Sequence, residues 1–155
     1  MIRNFQQQDE DSVIRIWLEA SVIAHSFIPR PYWKSKVPDM RNEYLPQSRT
    51  LVYEDKNTNE IAGFISLIGN YIAALFVSPD RQGRGIGLSL MTHVKQQHPE
   101  LELNVYAKNT QALAFYKHQG FTIVRQQTDE HTGQQEFTMK YQRGYSPKSC
   151  VVSSI

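Results

Sequence analysis

The chain has 155 residues, 40% hydrophobic and 21% charged, which suits a single globular domain that buries its apolar surface without metals or disulfides and argues against disordered or fibrous sequences. Seventeen Lys and Arg against fifteen Asp and Glu leave a net charge of +2, too small for nonspecific nucleic-acid binding over the whole surface. The single cysteine, Cys150, excludes an intrachain disulfide and a Cys-rich zinc site, and it favours a reducing compartment.

Met1 to Gln6 lacks the apolar core of a signal peptide, and no window approaches the roughly 20 apolar residues that span a bilayer, so a cytoplasmic protein without a membrane segment is expected. Ile2 to Phe5 reads as a short strand. Asp9 or Asp11 can cap a following helix whose Val13, Ile14, Trp17, Leu18 and Ser21 recur at near-helical spacing. Pro29 and Pro31 break that helix within an aromatic loop, and a less regular helix is predicted over Trp33 to Tyr44. Thr50 to Tyr53 and Ile61 to Ile68 form a hairpin around the polar turn Asp55 to Glu60, and Tyr71 to Val77 is a third β run stopped by Ser78-Pro79-Asp80. Ile86, Leu88, Leu90, Met91 and Val94 mark an amphipathic helix reaching about Gln97, and Leu101 to Tyr106 suits a central strand. Asn109 or Thr110 caps a helix that ends at Gly120 as C′ residue, and Phe121 to Gln126 and Glu136 to Tyr141 close a terminal hairpin. A single domain over 1–143 is expected, with a loose tail over 144–155.

Strand passes to helix through Val77-Ser78-Pro79-Asp80-Arg81-Gln82-Gly83-Arg84-Gly85-Ile86-Gly87, with glycine at alternate positions where the helix begins. Amides at a helix start are bare, point along the positive end of the helix dipole, and without Cβ obstruction can cradle phosphate oxygens. Arg81 and Arg84 add positive charge. A Walker loop needs Gly-Lys followed by Ser or Thr, and the dinucleotide fingerprint needs its third glycine three residues after the second. Neither spacing occurs here. A flexible loop that merely starts a helix is the bland alternative.

Gln82-Gly83-Arg84-Gly85-Ile86-Gly87 resembles the Gln/Arg-x-x-Gly-x-Gly/Ala signature of the GNAT N-acetyltransferases, and it follows the apolar strand and proline that the family places before it. Asn104-Val105-Tyr106 and the stretch from Asn109 through Phe115-Tyr116 to Gly120-Phe121 are similar to the family's second cofactor-side element. The resemblance runs from Ile2 to Tyr141, and His25 to Ile28, Tyr32-Trp33 and Tyr71 to Val77 look like small bacterial members. It implies the GNAT α/β fold, a mixed, mostly antiparallel sheet flanked by helices and splayed at its centre. Acetyl-CoA would lie between the Tyr71 to Val77 strand and the Leu101 to Tyr106 strand.

By the same resemblance, backbone groups of Leu75, Phe76 and Val77 hold the pantetheine arm, and the Leu75 amide polarises the thioester carbonyl. Gln82, Gly83, Arg84, Gly85, Ile86 and Gly87 take the pyrophosphate, while Asn104, Asn109 and Phe115 contact the cofactor. Tyr116 sits where the family places a tyrosine that protonates the departing thiolate, so it is the catalytic candidate. Tyr71, Phe27, Tyr32, Trp33 and His25 are candidates for the acceptor entrance, with ordinary core packing as the alternative. His25, Glu19, Glu43 and Glu102 are base candidates by chemistry, and nothing in the sequence selects among them.

The implied activity is transfer of acetyl from acetyl-CoA to a primary amine, on a protein lysine or a small molecule, by direct attack on the thioester. Two other readings stand beside it. Acetylation of aminoacyl-tRNA would favour a marked basic face that +2 does not advertise. A non-catalytic acyl-CoA sensor would have no use for Tyr116. No metal is implied, nucleic acid is not an expected partner, and a monomer or a homodimer is expected.

Overall fold

The computed structural model describes residues 1–144. The tail expected over 144–155 lies outside the described residues except for Gly144, and so does Cys150. The backbone groups into two compact units, one covering Met1–Val94 and the other opening at Lys95. The architecture is mixed α/β, and the strands within each unit are antiparallel.

The first unit begins with β1 (Ile2–Asn4), a 3-10 turn over Gln7–Asp9 and α1 (Glu10–Ala24). Asp9 does not cap α1 through its side chain. Its carboxylate instead accepts from the Gln6 amide at 2.8 Å and from Arg3 at 2.8 and 3.0 Å, and the Arg3 hydrogen bond holds its pKa below the ordinary value. On α1, Val13, Ile14, Ile16, Trp17 and Ala20 are buried, a wider apolar stripe than the sequence spacing suggests, and the helix packs against two of the strands.

The proline-containing segment differs from expectation. Helix α2 spans Arg30–Ser35, with Pro29 as N-cap and Pro31 at the second helical position. A proline there loses only an N–H that has no intrahelical partner, so Pro31 starts a helix rather than breaking one. Beyond it come α3 (Val37–Asp39), a π-helical turn over Met40–Tyr44 and α4 (Leu45–Gln47), in place of one helix over Trp33 to Tyr44. Arg41 ties this turn to α1 through ion pairs with Glu10 and Asp11.

β2 (Arg49–Glu54), β3 (Ile61–Ile68) and β4 (Tyr71–Val77) follow, in the order β1-β2-β3-β4. β3 is buried from Ile61 through Leu67, as a strand covered on both faces must be, and each fully buried Ile or Phe there contributes roughly 1.5–3 kcal/mol. A 3-10 turn over Pro79–Arg81 leads to α5 (Ile86–Gln97), which buries Ile86, Leu90, Met91 and Val94 and leaves Leu88 exposed.

In the second unit, β5 (Glu100–Tyr106), α6 (Thr110–His118), β6 (Thr122–Thr128) and β7 (Gln135–Gln142) form a sheet with β7 between β5 and β6. Leu101, Leu103 and Val105 of β5 are buried while Asn104 is exposed, the period of two of a sheet with unlike faces. Asn109 caps α6 by accepting from the Ala112 amide at 3.2 Å, and the helix ends just before Gly120, as expected.

Candidate active site

The glycine loop is built from the end of β4. The Ser78 amide donates to Ala62 at 2.8 Å, the Arg81 amide closes the 3-10 turn onto Ser78 at 2.9 Å, and the Gln82 side chain returns to the Val77 carbonyl at 3.3 Å. Gly83 and Gly85 then adopt φ +81° and +78°, left-handed values that side chains other than glycine adopt only at a cost. The first bond of α5 runs from the Ser89 amide to the Gly85 carbonyl at 2.9 Å, which leaves the amides just before Ser89 without intrahelical acceptors. A Cβ at Gly83 or Gly85 would meet nothing within 4 Å, so the loop is open where an anion would approach. Gln82, Gly83, Arg84 and Gly85 are exposed, Gly87 is half-buried and Ile86 is buried, so the Ile86 side chain anchors the helix.

The two arginines of the loop divide. Arg81 is 13% exposed and paired with Glu60 at 2.9 Å and Asp55 at 3.8 Å, an attachment to the β2–β3 turn that the sequence reading did not anticipate. Arg84 is exposed and, with Lys56 and Arg81, lines an open hollow of about 550 Å³ beside the loop.

β4 carries a second irregularity. Ser66 pairs with Ala74 and Leu67 with Ile72, so Ala73 is an extra residue with no partner opposite. Such a bulge re-aims the backbone, here two residues before Leu75. Leu75 and Val77 pair with Ile65 and Gly63, and the Phe76 ring packs 6.0 Å from Phe64. Tyr71, half-buried, begins the strand opposite Ile68.

Four of the acceptor-side candidates cluster. Trp33 lies 5.2 Å from His25, 5.1 Å from Tyr32 and 6.0 Å from Trp17, while His25 stands 5.8 Å from Phe27 and 6.5 Å from Phe76 of β4. Trp33 and His25 are buried, Phe27 and Tyr32 half-buried. Burial lowers the His25 pKa to about 4. A base that weak is neutral at pH 7 yet poorly suited to take a proton from an ammonium of pKa about 10.4. Of the other base candidates, Glu19 and Glu43 are exposed, and Glu102 is paired with Lys140 at 3.5 Å.

In the second unit Tyr116 lies in the last turns of α6, its ring 5.5 Å from Phe115 and 5.7 Å from Phe121, which stacks 5.5 Å from Tyr141. The Tyr116 carbonyl accepts from the Phe121 amide at 3.0 Å, so the turn at Gly120 fixes the backbone from which the phenol projects. Asn109 is the cap of the same helix. Asn104 is exposed on β5, and its carbonyl oxygen accepts from buried Thr138 at 2.7 Å, a partner that sequence spacing alone does not reveal. Among the described residues no helix is long and apolar enough to cross a membrane, and no group of three His, Cys, Asp or Glu is placed to hold a metal.

A strand that runs through a glycine loop into a helix start offers bare amides suited to an anion, and comparison with known proteins gives the family. A family model described as an acetyltransferase (GNAT) domain matches residues 13–143. The chain belongs to the GNAT acetyltransferase family. Peptidyl-lysine N-acetyltransferase YiaC of Escherichia coli is 41% identical over 125 residues, covering 80% of this chain and 84% of YiaC. Peptidyl-lysine N-acetyltransferase YjaB of Salmonella typhimurium is 32% identical over 130 residues, covering 83% of this chain and 88% of that protein. The solution structure of apo YjaB from Escherichia coli matches with a TM-score of 0.79 at 28% identity, over 91% of this chain and 96% of that one.

Proposed function

We propose that this N-acetyltransferase uses acetyl-CoA to acetylate the ε-amine of a protein lysine. The observation that carries the donor is the open glycine loop of Gln82 to Gly87, whose bare amides at the start of α5 suit a pyrophosphate. The acceptor class rests on the names of YiaC and YjaB, both called peptidyl-lysine N-acetyltransferases.

In this reading one domain spans 1–143. Gln82 to Gly87 bind the pyrophosphate, the backbone of Leu75, Phe76 and Val77 binds the pantetheine arm, and Asn104, Asn109 and Phe115 add cofactor contacts. The bulge at Ala73 supports the role of Leu75, because it turns the strand just before the amide assigned to the thioester carbonyl. Tyr71, Phe27, Tyr32, Trp33 and His25 serve the acceptor side, and the packing of His25 against Phe76 supports a link from that cluster to the cofactor strand.

The neutral amine attacks the thioester carbonyl carbon, the C–S bond breaks, the CoA thiolate takes the Tyr116 phenolic proton, and the proton lost by the attacking nitrogen returns through water to the phenolate. Supplying the neutral amine at pH 7 costs roughly 4–5 kcal/mol, and the weak basicity of His25 favours water over the imidazole as first proton acceptor. The reaction consumes an intracellular thioester, so it is assigned to the cytoplasm. The test is a panel of amines and lysine peptides incubated with acetyl-CoA and read by mass spectrometry. Acetylated lysine with release of CoA is expected, and acetylation of small amines alone would overturn the protein acceptor.

A further inference from the structure

On the β5-β7-β6 sheet, five polar side chains form one hydrogen-bonded chain. Arg125 donates through Nη2 to Thr138 Oγ1 at 3.2 Å and through Nε to Gln127 Oε1 at 3.3 Å. Gln127 Nε2 donates to Thr138 Oγ1 at 3.0 Å and to Glu136 Oε1 at 3.3 Å. Thr138, 1% exposed, donates its own proton to Asn104 Oδ1 at 2.7 Å.

The direction of each bond is forced. A guanidinium has donors and no acceptor, so Thr138 Oγ1 accepts from Arg125, and Gln127 turns its oxygen toward Arg125 Nε. The Gln127 nitrogen then faces Glu136 and Thr138. Both lone pairs of the Thr138 hydroxyl are filled, and it has only its proton left to give. Asn104 meets that proton with its carbonyl oxygen, and its NH₂ is thereby turned away from Thr138 at an exposed position on β5. An amide whose orientation is ordinarily ambiguous is set by a cation two residues removed.

We propose that Thr138, Gln127 and Arg125 are positioning residues that hold the Asn104 NH₂ as a preset donor to an amide carbonyl oxygen of a substrate. This rests on the reading of Asn104 as a ligand-facing residue. Two substrates carry such a carbonyl, the pantetheine arm and the backbone of the acceptor polypeptide. Without Thr138 the Asn104 amide turns freely, and the donor must be ordered at the moment of binding, which weakens affinity rather than the chemical step.

The test compares Thr138→Val, Thr138→Ser and Asn104→Ala by steady-state kinetics with acetyl-CoA and an N-terminally blocked lysine peptide already shown to react, and by calorimetry with CoA alone. Thr138→Val is expected to raise the same KM that Asn104→Ala raises, by about 3–10-fold with kcat within about twofold, and Thr138→Ser to restore it. A higher acetyl-CoA KM with weakened CoA binding assigns the carbonyl to pantetheine. A higher peptide KM with unchanged CoA binding assigns it to the acceptor. If Asn104→Ala raises a KM while Thr138→Val raises neither, positioning is overturned. If Asn104→Ala raises neither, the reading of Asn104 itself fails, while the glycine-loop assignment stands on its own variants. Should Thr138→Val not fold, Arg125→Met, on the exposed strand, is expected to raise the same KM by a smaller factor, and no rise would overturn the proposal.

Discussion

The His25 imidazole lies 5.2 Å from the Trp33 ring, tilted by 31°, at only 8% exposure. Burial lowers its pKa from 6.5 to about 4, so the folded chain keeps it neutral where the unfolded chain protonates it. Between about pH 4 and 6.5 the unfolded state binds more protons, so this contribution to stability rises with pH and is lost on acidification. The full shift is worth roughly 3 kcal/mol. Asp9, which Arg3 holds below its ordinary value of 3.8, adds a loss of the same sign at lower pH. Urea unfolding followed across the window is expected to show a flatter pH dependence for His25→Phe, and a slope equal to that of the parent would refute the assignment.

Gly85 separates backbone strain from charge. Its φ of +78° makes any side chain unfavourable by about 1–2 kcal/mol, while a Cβ meets nothing within 4 Å. Gly85→Ala and Gly85→Glu are therefore expected to lose similar thermal stability. Glu also sets a carboxylate against the pyrophosphate, so its CoA affinity is expected to fall at least about tenfold below that of Ala. Calorimetry with CoA decides, and equal affinities in the two folded variants would sink the phosphate cradle.

Arg81 and Arg84 look alike in sequence and are expected to behave differently. Arg81 is committed to Glu60 and Asp55, so Arg81→Gln is expected to shift Tm while CoA affinity changes less than about threefold. Arg84 is exposed beside the loop, so Arg84→Gln is expected to leave Tm unchanged and to weaken CoA binding several-fold, most clearly at low salt. Titrations at two ionic strengths measure both, and the opposite pattern would exchange their roles.

Local signals were readable and tertiary ones were not. The run Tyr71–Val77 and the start of α5 on the glycine loop are marked by proline, glycine and apolar periodicity within the segment itself, and the structure places the strand at Tyr71–Val77 and the helix start at Ile86. Pro31 misled because proline is a breaker inside a helix and a starter in its first turn, a distinction that depends on where the helix begins. Asp9 has a capping residue's chemistry, yet Arg3 claims its carboxylate. Arg81 and Glu60 meet across 21 residues, and the Thr138 network needs the register of three strands. Partners of that kind are set by the folded sheet, so spacing along one chain does not display them.

Tyr116→Phe removes one hydroxyl and keeps the ring that packs against Phe115 and Phe121. Folding and CoA affinity are therefore expected to change little. The phenol is assigned to protonate the CoA thiolate as the C–S bond breaks. A positioned general acid contributes about 10²–10⁴-fold, and a thiolate whose conjugate acid has pKa near 8.5 is already a fair leaving group, so kcat is expected to fall near the lower end. The comparison uses saturating acetyl-CoA and a lysine peptide already shown to react, with circular dichroism confirming the variant's fold. A pH profile adds a second readout: if Tyr116 is the acid, the loss of activity on the alkaline limb of the parent disappears in the variant. A variant that turns over at the full rate would return Tyr116 to packing alone and pass the proton to water.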